Sequence, residues 1–95
     1  MEEWKYIEAA RAFELTKLHY FSVKKKQTSG PVEFKITVRE VGIPETTDMA
    51  FYAEADKATN QKVAPFIPCG WGKTLEDAVR LCIQNIQRFD YEPTE

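Results

Sequence analysis

Histidine occurs once, cysteine twice and no long hydrophobic run occurs at all, and each scarcity closes off a class of function. With His19 the only imidazole and Cys69 and Cys82 thirteen positions apart, no zinc-ligand spacing exists. A small secreted domain leans on a framework of several cysteines, so two thiols predict a reduced, cytoplasmic setting. No stretch reaches the roughly 20 apolar residues of a membrane span. The first residues, Met1-Glu2-Glu3-Trp4-Lys5, lack the basic start and apolar run of a secretion signal. A basic excess is missing too. The net charge is −2, whereas nucleic-acid binders draw most of their affinity from neutralising phosphates, so nucleic acid is a disfavoured partner.

What is present is an ordinary globular composition, and 95 residues predict one domain spanning 1–95. Aromatic side chains are frequent, and each brings a large buried area that offsets the short length.

Good helix formers fill residues 2–14, with Trp4, Ile7, Ala10 and Phe13 at spacings of three, which predicts an N-terminal helix. Leu18, Tyr20, Phe21 and Val23 then suggest a strand ending in a solvated turn at Lys24, Lys25 and Lys26. Gln27-Thr28-Ser29-Gly30-Pro31 is a turn signal. In residues 32–41, Val32, Phe34, Ile36 and Val38 alternate with Glu33, Lys35, Thr37 and Arg39, the pattern of a strand dry on one face. A polar loop over 42–48 leads to a second alternating strand at 49–56. A third segment, 63–71, is broken by Pro65 and Pro68, which confines it to a sheet edge.

The last element is the clearest. Leu75, Ala78, Val79, Cys82, Ile83, Ile86 and Phe89 form one stripe, Thr74 is a natural N-cap, and Glu76 and Asp77 suit the positive end of the helix dipole. The expected fold class is therefore α+β: an N-terminal helix, a three- to four-stranded antiparallel sheet, and a C-terminal amphipathic helix packed on one face.

The chemistry-bearing residues are few. Gly72-Lys73-Thr74 matches the end of a phosphate-binding loop, but the glycine required five residues earlier is Ile67. Cys69 precedes a helix start, where a thiol pKa can fall, yet a nucleophile also needs a base and His19 is remote in sequence. The expectation is no enzyme, no cofactor and no metal. The candidate interaction surface comprises Tyr20, Phe21, Lys24, Lys25, Lys26, Tyr52, Cys69, Trp71 and Lys73, read as aromatics exceeding what one small core needs, beside a basic strip and an anion-tolerant turn.

Two family resemblances bear on this. Residues 29–38, Ser-Gly-Pro-Val-Glu-Phe-Lys-Ile-Thr-Val, are similar to the Gly-Pro turn and second strand of the double-stranded-RNA-binding domain. Residues 72–78, Gly-Lys-Thr-Leu-Glu-Asp-Ala, resemble that family's helix start, with Leu75 and Glu76 where the family carries phosphate-contacting lysines. Residues 51–56 followed by 66–78, Phe-Ile-Pro-Cys-Gly-Trp-Gly-Lys-Thr-Leu-Glu-Asp-Ala, resemble HicB-type antitoxins, which place Pro-Gly-Cys and then Gly-Asp-Thr-Leu-Glu-Glu-Ala after a strand. That resemblance implies a regulatory protein binding another protein, a toxin-like partner. RNA binding through a double-stranded-RNA-binding fold is the alternative. A homodimer, through strand edges or the aromatic face, is the expected self-association.

Overall fold

A computed structural model describes residues 15–41 and 49–92. Four strands, β1 (Thr16–Gln27), β2 (Gly30–Val41), β3 (Phe51–Ala55) and β4 (Cys69–Gly72), form one antiparallel sheet in the order β1-β2-β3-β4. A single helix, α1 (Leu75–Arg88), follows. The two-helix expectation is corrected accordingly: among the described residues α1 is the one helix, and the helix expected over residues 2–14 lies outside them. The fold remains α+β because, among the described residues, α1 packs on one face of the sheet. The loop expected at 42–48 also lies outside the described residues.

The alternation in β2 does what period two requires. Phe34, Ile36 and Val38 are buried, and they join Ala53 and Ala55 of β3 with Ala78, Cys82 and Ile86 of α1 in one core. β1 pairs with β2 along its whole length and β3 pairs with it over residues 36–40, so Thr37 and Arg39 border neighbours on both sides.

The helix seats closely because small residues meet at the contact. A β-carbon on Gly72 would lie 2.5 Å from the backbone nitrogen of Ala78, and one on Gly70 would lie 2.7 Å from the Ala78 carbonyl oxygen. Thr74 caps the helix by accepting from the amide of Asp77 at 3.1 Å. Ile86 is 2% exposed in the last turn. Ile86→Ala is expected to cost about 2–5 kcal/mol in urea titration, as buried large-to-small changes do.

The β1–β2 hairpin corrects the reading of its sequence. Lys24, Lys25 and Lys26 do not form a turn but continue β1, which runs twelve residues to Gln27. The reversal occupies Thr28 and Ser29, with Gly30 at φ 121° supplying the backbone conformation that other residues avoid, and Pro31 already belongs to β2. Lys25 points to the helix side. Its ammonium donates to the carbonyls of Ile86 at 3.0 Å and Phe89 at 2.8 Å, and pairs with Asp90 at 3.0 Å. The last carbonyls of a helix have no partner within it, so a lysine from a distant strand supplies one.

Two glutamines fasten the chain after the helix. Gln27 donates to the Tyr91 carbonyl and accepts from the Tyr91 amide; Gln61 does the same with Glu92. Each amide side chain reproduces the paired bonds of a strand neighbour, so residues 91 and 92 are held without a further strand.

Candidate functional site

In an antiparallel sheet, residues directly opposite one another share a face, so the pairing register sorts every side chain. Leu18 lies across from Arg39, Arg39 from Tyr52, and Tyr52 from Trp71. These four therefore make one row spanning all four strands on the face away from α1. The next row on that face is Tyr20, Thr37, Glu54 and Cys69, and beyond it come Ser22 with Lys35 and Lys24 with Glu33.

Tyr20 is 70% exposed and Trp71 54% exposed; Leu18 and Arg39 are exposed as well. Tyr52 is half-buried between them, its ring tilted against Trp71 with centroids 4.6 Å apart and its hydroxyl donating to Glu54 at 2.9 Å. Burial, the bond to Glu54 and the nearby Cys69 together hold the Tyr52 phenol above the ordinary tyrosine range, so it stays protonated. Ser22 donates to Glu33, and that bond, together with the lysines at 35, 24 and 57, holds the Glu33 carboxyl below its ordinary range. One carboxylate is thus surrounded by several ammonium groups.

The sequence-selected residues divide between locations. Tyr20, Lys24, Lys26, Tyr52, Cys69 and Trp71 come together on this open face. Phe21 and Lys25 fall on the opposite face: Phe21 borders a groove beside α1, and Lys25 serves the helix terminus. Lys73 stands apart, exposed in the turn before the N-cap. Leu18 and Arg39 belong to the row and were not among the selected residues. The only hint in the sequence was their alternation, which does not say which strand lies alongside.

Cys69 and His19 do not assemble as a nucleophile and base. Cys69 is on β4, three strands from His19 on β1, and the two lie on opposite faces. His19 Nε2 instead meets Glu40 Oε1 at 2.8 Å. Both cysteines are free thiols, and among the described residues no three His, Cys, Asp or Glu side chains converge as a metal site.

Cys82 lies in the core beneath β4, its sulfur against the Pro68 carbonyl at 3.6 Å. Burial, helped by Cys69 and Glu54, pushes its thiol up to about 12. Since an unfolded thiol titrates near 8.5, the unfolded chain loses a proton that the folded chain keeps, and this contribution to stability falls as pH rises from about 9 towards 12. Urea titrations at pH 8 and pH 10.5 are expected to show a smaller loss in Cys82→Ala than in the parent chain. Equal losses would place the alkaline sensitivity elsewhere.

No family model, curated protein or solved structure matches this chain.

Proposed function

We propose that this chain is a non-enzymatic protein-interaction module whose contact surface is the open face of its sheet. The observation that carries this reading is the row Leu18, Arg39, Tyr52 and Trp71, with Tyr20 beside it. Tryptophan, tyrosine and arginine are the residues in which binding energy concentrates at protein interfaces, because they combine a large contact area with a polar handle. Here they adjoin on a rigid sheet, so little side-chain or backbone order is lost on contact. The resemblance of residues 51–56 and 66–78 to HicB-type antitoxins supports the same reading, with a toxin-like protein in the cytoplasm as the partner.

A nucleic-acid role draws on the same aromatics, with Lys24, Lys35 and Arg39 as phosphate contacts. Glu33 and Glu54 on that face and the net charge of −2 favour protein instead. A photo-crosslinking amino acid placed at Tyr20 in the intact chain, expressed in its own cells, separates the two. The expected adducts are proteins, absent when the crosslinker is moved to the exposed loop residue Val63 and reduced by Arg39→Ala with Trp71→Ala. Nuclease-sensitive adducts, or none, would overturn the proposal.

A further inference from the structure

The direction of the backbone groups on the outer edge of β1 can be read from the bonds β2 makes on its other side. Val41 N donates to Ala50 O at 2.9 Å, Lys35 N donates to Asp56 Oδ1 at 3.0 Å, and Lys35 O accepts from Asp56 N at 3.0 Å. The odd-numbered residues of β2 thus aim their backbone groups towards β3. Their partners Thr16 and Ser22 must aim theirs away from β2, and period two extends this to Leu18, Tyr20, Lys24 and Lys26. Among the described residues, no strand pairs with that side of β1. Such a row of amides and carbonyls is a template for another extended chain.

The two faces beside this edge differ in chemistry. On the helix side, Phe21 borders a groove of about 430 Å³ whose apolar wall is Leu75, Val79 and Ile83, one flank of α1. On the open side stand Lys24 and Lys26, both exposed. β1 contains four lysines and no carboxylate. Glu33, which lies across the ladder from Lys24, also feels Lys35 and Lys57.

We propose that the β1 edge takes an extended segment of a partner protein, with acidic residues alternating with apolar ones, as a fifth strand. Main-chain bonds supply affinity and alternate side chains supply selectivity, apolar ones entering the groove and acidic ones meeting Lys24 and Lys26. A second copy of this chain fits poorly at the same edge. The edge presents Lys24 and Lys26 on its open side, both exposed, and edge lysines are a means by which sheets resist self-pairing. The proposal rests on the protein-binding reading but uses the edge, where that reading uses the face.

The test uses the full chain and a short synthetic peptide alternating glutamate with valine, beside a twin carrying lysine for each glutamate. The glutamate peptide is expected to bind at least about tenfold more tightly in fluorescence anisotropy. It is also expected to slow amide hydrogen exchange at Leu18, Tyr20, Ser22 and Lys24. Lys24→Glu with Lys26→Glu reverses the preference. Equal binding of both peptides, or unchanged exchange at those amides, overturns the proposal. Slow exchange there before any peptide is added also overturns it, and its dependence on protein concentration tells a second copy from the chain's own residues. Protein crosslinks at Tyr20 together with an indifferent edge would refute this proposal alone and leave the protein-binding reading standing.

Discussion

Phe34→Ala is expected to lower the unfolding free energy by about 3–5 kcal/mol, the range for removing a buried aromatic ring. Phe34 is 0% exposed, faces Val23 across the β1–β2 ladder and meets the edge of the Tyr91 ring with centroids 6.4 Å apart. Its strand is held by β1 along its whole length and fastened to Asp56 next door, so the backbone has little freedom to collapse into the space left behind. Small domains are stable by about 5–15 kcal/mol in total, so this loss would remove a large share of the stability. Urea denaturation measures it. A loss below about 1 kcal/mol would mean that Phe34 is not in the core, whereas Phe34→Leu, which keeps most of the volume, is expected to cost less than the alanine change.

Gly72→Ala carries the second large effect, for the opposite reason. The added methyl would lie 2.5 Å from the Ala78 nitrogen and 2.8 Å from the Asp77 β-carbon. Those atoms belong to the first turn of α1, which is fixed by the Thr74 cap below and by the sheet behind, so no flexible side chain can yield. The helix must shift as a body, drawing Ala78 and Cys82 out of contact. A cost of about 3 kcal/mol is expected, at the upper end of overpacking penalties. The sensitive check is thermal unfolding with circular dichroism, which reads helix loss directly; an unchanged midpoint would show that α1 does not seat on β4. Gly70→Ala, aimed at Ala78 O and Cys82 N, is expected to behave alike.

Parts of this structure were legible before any tertiary contact was known. The stripe and cap of α1 are visible because helical neighbours recur within three or four residues, and the dry face of β2 because strand neighbours recur within two. Other residues misled. A run of three lysines reads as a solvated turn on composition, yet in β1 the middle lysine crosses to the helix face and caps a terminus 61 residues away. Likewise Tyr20 and Phe21 looked like one aromatic surface, but adjacent strand residues point to opposite faces, so one joins the open face and the other the groove. The N-terminal helix expected from good helix formers and spaced apolar residues lies outside the described residues, among which α1 is the one helix on the sheet.

The site shows the same division more sharply. Leu18, Arg39, Tyr52 and Trp71 are spread over 54 positions, and nothing local ties them together. Only the strand order and register set them in one row. By itself the sequence determined the amphipathic helix, its cap, the alternating central strand and the absence of a zinc-ligand spacing, all consequences of short-range periodicity and composition. The tertiary structure decided which strands are neighbours, which face each aromatic occupies and what Lys25 does, because these depend on pairings between distant segments that no local pattern encodes.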